Sequence, residues 1–161
     1  MELIIIVAEA TNHAIGRDNK LLFHLPQDMK RFKTLTTGHT VLMGRRTFES
    51  LPKGALPNRR NVVLTHHPIE GVECYDSLDK ALDACKDDDK VFIIGGEKVY
   101  AETLDSADVI YITRVDAVVD DADAFFPQID ARQWEIKNSE HHPSDEKHRY
   151  PYTFIDYRRK K

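Results

Sequence analysis

The chain has 161 residues, 41% of them hydrophobic, and its 27 acidic side chains against 23 basic ones leave a formal net charge of −4. That length encloses one core and is short for two ordinary domains, so residues 1–161 read as one domain. The mildly negative field argues against nucleic acid as a partner. The first apolar run, Leu3 to Ala8, follows Glu2 and is too short for a membrane span or a signal-peptide core, so it reads as a buried strand. Further β-branched runs at 40–43, 61–65, 91–94 and 109–113 alternate with helix-like stretches, a pattern that predicts a largely parallel α/β sheet. The predicted helices are 26–36, opened by Pro26 and closed near Gly38; 45–51, stopped by Pro52; 78–86, with Ser77 at its cap; and 97–104, after Gly95-Gly96. Trp134 to Lys137 and Tyr150 to Ile155 flank a polar loop and predict an antiparallel hairpin at the sheet edge. Cys74 and Cys85 lack CxxC spacing and give no disulfide framework, which suits a reducing, cytoplasmic setting.

Ligands of open α/β sheets bind beyond the carboxyl ends of the strands, so the strand exits are where chemistry is expected. After Ile93-Ile94 come Gly95-Gly96 and a helix, which lets a ligand approach bare backbone; the pair serves equally as a tight strand-to-helix turn. After Val41 to Gly44 come Arg45, Arg46 and Thr47, two cations at a helix start where the dipole disfavours them. An anionic ligand such as a dinucleotide phosphate resolves that conflict, whereas solvent-pointing arginines tolerate it for a few tenths of a kcal/mol, roughly 0.3–1. Val62 to Leu64 lead into Thr65-His66-His67, further polar partners for the same phosphate. No strand here ends in the acidic residue that prefers an unphosphorylated adenosine ribose, which leans towards NADPH.

Asp28 is the main anomaly. Helical spacing puts it on one stripe with Leu25, Phe32 and Leu35, so a carboxylate interrupts an apolar face. An Asp near a helix start is also favourable by capping and dipole alone. On a core-facing stripe, however, an unpartnered carboxylate is costly, and it either pairs or meets a ligand that donates hydrogen bonds. The amidine-like edge of a pterin is a bidentate match. The adjacent histidine pairs His66-His67 and His141-His142 have no third ligand at metal spacing, and no G-x-S-x-G elbow is present.

The ordered motifs Ala14-Ile15-Gly16, Leu25-Pro26-x-Asp28, Met43-Gly44-Arg45-x-Thr47-Phe48-Glu49-Ser50, Leu56-Pro57-x-Arg59, Ile94-Gly95-Gly96-x-x-Val99-Tyr100 and Tyr111-x-Thr113, with Phe126-Pro127 and Trp134-Glu135 after them, resemble bacterial-type dihydrofolate reductase over nearly the whole chain. The resemblance implies a central, mostly parallel eight-stranded sheet with an antiparallel C-terminal edge hairpin and about four helices. It implies reduction of dihydrofolate by NADPH, with antifolate inhibitors competing at Asp28 through a protonated diamino ring; a cytoplasmic monomer is expected, since no assembly feature is evident in the sequence. Asp28 would anchor the pterin with Thr113 behind it. Ile6, Val7, Met29, Phe32, Leu51, Leu56 and Ile94 would line the substrate pocket, and Arg59 would hold the glutamate-tail carboxylate. Nicotinamide would lie near Ala8, Ile15, Gly16, Leu21 and Tyr100. Gly44 to Thr47 (with Arg45 and Arg46) and Gly95 to Val99 (with Gly96, Glu97 and Lys98) would take phosphates, while Leu64, Thr65 and His66 would border the extra ribose phosphate with Arg45. A cis peptide is expected at Gly95-Gly96.

The segment from about Ala10 to Leu25 looks like the family's mobile lid. Its Leu21-Leu22-Phe23 replaces the proline and tryptophan of many relatives. The acidic stretch Asp120 to Ala124 would pin the lid through Asp123. Two rivals use some of the same features: the riboflavin-pathway pyrimidine reductase, which shares the fold and cofactor site but does not call for Asp28, Phe32 and Arg59, and a non-enzymatic nucleotide-binding module, which leaves Asp28 unexplained.

Overall fold

The computed structural model describes residues 1–161. In chain order the elements are β1 (Glu2–Ala10), β2 (Ala14–Arg17), β3 (Lys20–Leu21), α1 (Pro26–Thr36), β4 (Thr40–Gly44), α2 (Arg45–Ser50), β5 (Arg60–Leu64), β6 (Glu73–Tyr75), α3 (Leu78–Ala84), β7 (Lys90–Gly95), α4 (Glu97–Thr103), β8 (Val109–Val115), β9 (Ala124–Phe125), β10 (Trp134–His142) and β11 (Tyr152–Arg159). Eight strands form one sheet in the order β10-β11-β8-β1-β7-β4-β5-β6. From β8 to β6 every pairing is parallel, and β11 and β10 run antiparallel at the far edge.

The apolar runs become inner strands because both sheet faces are covered. Leu3, Ile5 and Val7 of β1 pack into one core cluster with Leu42, Val62, Ile93 and Ile110, while Ile4 joins Val41, Met43, Val63 and Phe92 in the other. The helices fall close to their predicted ranges. Pro26 starts α1, where its missing N–H costs nothing. Thr36 and Thr37 hydroxyls at the other end of α1 bond back to the Phe32 and Lys33 carbonyls. The Ser77 hydroxyl caps α3 by accepting from the Lys80 amide at 3.2 Å.

The sequence reading differs from the structure at short strands. β2, β3 and β9 form a second, three-stranded sheet within the 10–25 segment and the acidic stretch, and β6 adds an edge strand of three residues. None has a long β-branched run; each is defined by its pairing partner. The hairpin strand β10 continues to His142, five residues beyond the predicted end, because a strand whose residues after Trp134 are nearly all exposed carries no apolar pattern to mark its length. No helix is long and apolar enough to cross a membrane.

Candidate active site

α1 lies over the sheet so that Asp28 meets Thr113 of β8, whose hydroxyl donates to the carboxylate at 2.5 Å. Burial pushes the Asp28 carboxyl above its ordinary range, and the Thr113 hydrogen bond and the Arg31 charge partly offset this. Arg31 donates to Asp156 at 2.9 Å and lies 4.5 Å from the Phe154 ring centroid, fastening α1 to β11. Ile6, Leu51, Leu56 and Ile94 pack on one apolar cluster, and the Ile6 carbonyl accepts from Tyr100, whose phenol feels the Asp28 charge. Phe32 sits under the Arg59 guanidinium, 6.0 Å from ring centroid to Cζ. Arg59 donates to the Pro57 carbonyl and the Thr36 hydroxyl, while its Nη2 has no hydrogen-bond partner. Met29, next to Asp28 on α1, is 56% exposed and packs on none of the apolar clusters.

On the other side of Tyr100 a cavity of about 1340 Å³ opens along the carboxyl ends of β1, β4, β5 and β7. Every residue expected to meet the cofactor lines it: Ala8, Ile15, Gly16 and Leu21 at one end, Gly44, Arg45, Arg46, Thr47, Leu64, Thr65 and His66 along one wall, and Ile94, Gly95, Gly96, Glu97, Lys98, Val99 and Tyr100 along another. Val7, expected at the substrate, also reaches this cavity. Gly44 and Gly96, as the caps of α2 and α4, present no side-chain acceptor, so their helix amides face the cavity bare. Gly95-Gly96 is a cis peptide, and Gly95 has φ +131°, a conformation that side-chain-bearing residues rarely adopt. A methyl group there would come within 3.2 Å of the Thr47 hydroxyl. Arg45 donates to Thr65 Oγ1 at 3.0 Å and to the His67 carbonyl at 2.8 Å, so a cation and a hydroxyl are held together at the end of β5. Tyr100 is buried, and its hydroxyl donates to the Ile6 carbonyl at 2.8 Å. Burial and the nearby Asp28 charge push the phenol far above its ordinary range, so it stays protonated.

The small sheet forms the remaining wall. Leu21 is 81% exposed opposite Gly16. Asp123 accepts from the Asp18 amide at 2.9 Å, Arg17 donates to Asp121 at 2.6 Å, and Asn19 donates to the Arg46 carbonyl at 2.8 Å. The hairpin tip is therefore tied both to the acidic stretch and to α2. Phe23 packs edge-on against Tyr150 with centroids 5.9 Å apart, which gives the base of the segment an aromatic anchor. Glu97 accepts from the Phe125 amide, so it serves α4 and β9 as well as the cavity. Asp76, Ser77 and Leu78 also line the cavity and were not foreseen; they follow β6, whose three residues gave no strand signal.

A model of the dihydrofolate reductase family matches residues 2–159. The dihydrofolate reductase of Bacillus subtilis (strain 168) is 39% identical over 158 residues, 96% of this chain and 93% of its own. That of Staphylococcus aureus is 43% identical over 161 residues, 100% of both chains. A solved structure of dihydrofolate reductase from Enterococcus faecalis, complexed with NADP(H) and RAB-propyl, matches with a TM-score of 0.92 at 34% identity, over 99% of this chain and 97% of that one. With this fold, this pairing of Asp28 with Thr113 and these matches, the chain belongs to the dihydrofolate reductase family.

Proposed function

We propose that this chain reduces 7,8-dihydrofolate to 5,6,7,8-tetrahydrofolate with NADPH, supplying one-carbon metabolism. The observation that carries this reading is a lone carboxylate, Asp28, held between α1 and the sheet by its hydrogen bond to Thr113 and near enough to Tyr100 to act on its phenol, while Tyr100 lines a cavity bordered by glycine backbone and cations.

Asp28 binds the ring N–H and amino group of the pterin, an arrangement in which both carboxylate oxygens meet donors. Thr113 holds the carboxylate in place for that contact. Ile6, Phe32, Leu51, Leu56 and Ile94 supply the apolar walls that favour a flat ring, with Val7 and Met29 at their margins. Arg59, with Nη2 free and its plane supported by Phe32, takes the glutamate-tail carboxylate. The residues present suit NADPH: Gly44, Gly95 and Gly96 leave room for phosphates, Arg45 and Thr65 form a ready pair for the extra ribose phosphate, and Arg46, Thr47 and Lys98 add donors. When bound, the reduced nicotinamide supplies the hydride taken up by the imine carbon of the pterin. Ala8, Ile15, Gly16, Leu21 and Tyr100 position that ring, and the tied hairpin excludes bulk water. The adjacent ring nitrogen of the substrate gains its proton from a water molecule, with Asp28 polarising the ring from the other edge. Antifolates with a protonated diamino ring compete at Asp28.

We further propose that the enzyme is one domain, monomeric and cytoplasmic; its two free thiols suit a reducing compartment. The test is loss of NADPH absorbance on addition of dihydrofolate. Robust oxidation, far faster than with NADH, is expected. Oxidation only with the pyrimidine substrate of the riboflavin-pathway reductase would contradict the assignment.

A further inference from the structure

We propose that His148 is a positioning residue for Asp28, closing the first turn of α1 from the loop between β10 and β11. This rests on the reading that Asp28 anchors the pterin.

The start of α1 is poorly provided by its own sequence. Leu25 stands at the cap, where its side chain offers no acceptor, and Pro26 has no N–H, so the first amide of the helix that needs a partner is that of Gln27. It donates to Nε2 of His148 at 3.2 Å, a contact spanning 121 residues of sequence. For Nε2 to accept, the ring proton must sit on Nδ1. Nδ1 lies 2.9 Å from Asp145 Oδ1, which takes that proton as a hydrogen bond and so fixes the tautomer. The same carboxylate oxygen accepts the amides of Lys147 and His148, each at 2.8 Å, and the Asp145 amide donates to the His148 carbonyl at 2.9 Å. The four-residue turn is thereby rigid, and it presents one ring to one amide.

His148 is 5% exposed. Its ring lies 4.9 Å from that of Tyr152, and Tyr152 packs with Leu25, Val115 and Phe154 in the cluster beneath the start of α1. Gln27 immediately precedes Asp28. Loss of the acceptor orphans a helix amide at the turn that sets where the Asp28 carboxylate points, and the Asp28–Thr113 contact loosens with it. A histidine is suited to the task because one nitrogen accepts while the other is locked by a carboxylate, the arrangement that orients imidazoles in catalytic and metal sites.

Two measurements test this on the full chain with NADPH bound. The first is the imidazole ¹⁵N signature of His148 at neutral pH, expected to show a protonated Nδ1 and a bare, hydrogen-bonded Nε2; a proton on Nε2 overturns the proposal without any variant. The second compares His148→Met, which fills the volume without a strong acceptor, with His148→Gln, whose amide oxygen reaches towards the same amide. His148→Met should lose about tenfold in kcat/KM for dihydrofolate, mainly through KM and at unchanged NADPH affinity, and His148→Gln should recover to within about threefold. Wild-type kcat/KM in a folded His148→Met overturns the proposal, as does an equal loss in both variants. Asp28→Asn measured alongside separates the two readings: if it keeps full turnover, the account of the site itself fails, whereas its collapse beside an unaffected His148→Met discards only the role of His148.

Discussion

Asp28 is held in a place that suits binding better than stability. Its carboxyl is raised above the ordinary value of 3.8, with burial as the largest cause, which means that the folded state disfavours the charged form. A raised value contributes stability that is complete below the unfolded value and is lost as pH rises through the folded one. Asp28→Asn should therefore melt at a higher temperature than the wild type at pH 7, and the difference should close as the pH falls below about 3.8, where both states of the wild type carry the proton. Melting curves across pH check this, and a variant less stable at pH 7 would mean that Thr113 and Arg31 outweigh burial. Asp28 was visible in the sequence because it broke an apolar stripe. Its partner Thr113 came only with the family resemblance, since 85 residues separate the two and it is the pairing of β8 with β1 that brings Thr113 beneath α1.

At the level of elements, the strand exits were legible because apolar, β-branched runs end abruptly at glycine or at polar residues: Gly44-Arg45-Arg46-Thr47 and Gly95-Gly96 both stand where the runs predicted. The small sheet was not legible. β2 and β3 turn through Asp18 and Asn19, both with positive φ, and β9 is two residues long, so their existence depends on contacts with each other and with Glu97. The turn at Gly95 is also a point of vulnerability. Gly95→Ala places a methyl group in a conformation that L residues avoid and against Thr47 and Tyr100, at 3.2 and 3.5 Å. The expected cost is about 1–3 kcal/mol in stability. Because the same turn borders the cavity, NADPH affinity should fall at least as far as dihydrofolate affinity. Isothermal titration with each ligand, alongside a melting curve, reads both effects, and an alanine variant with wild-type affinity and stability would mean that the turn is free to relax.

Across the whole molecule, the sheet joins lid, core and edge through a charge that the sequence did not announce. Glu9 on β1 is fully buried. Arg114 on β8 donates to Glu9 Oε1 through Nε and Nη2 at 3.1 and 2.8 Å, and His13, at the entry to β2, lies 3.2 Å from Oε2. Glu9 lies just past the apolar run Leu3 to Ala8, and closure of the hairpin and the packing of β8 enclose it. Removing one member of a buried pair leaves the other without compensation. Glu9→Ala should lower stability by about 3 kcal/mol, the lower end of the usual range because Arg114 keeps partial access to water. That corresponds to roughly 6–12 °C in melting temperature for a chain of this size. Glu9→Leu combined with Arg114→Leu should regain most of the loss, as apolar replacement of both partners often does. Thermal melts of the single and double variants decide it, and a double variant no better than the single would show that shape rather than charge sets the cost.

The claim that joins these scales is that one carboxylate anchors the substrate while the rest of the site positions two flat rings. Single-turnover transfer from NADPH to dihydrofolate, followed by the loss of NADPH absorbance in wild type and Asp28→Asn, tests it most directly. The account predicts a fall of roughly 10²–10³-fold in the rate of the variant, the range associated with losing one positioned electrostatic stabiliser, with NADPH affinity unchanged. Transfer at the wild-type rate in Asp28→Asn would contradict it.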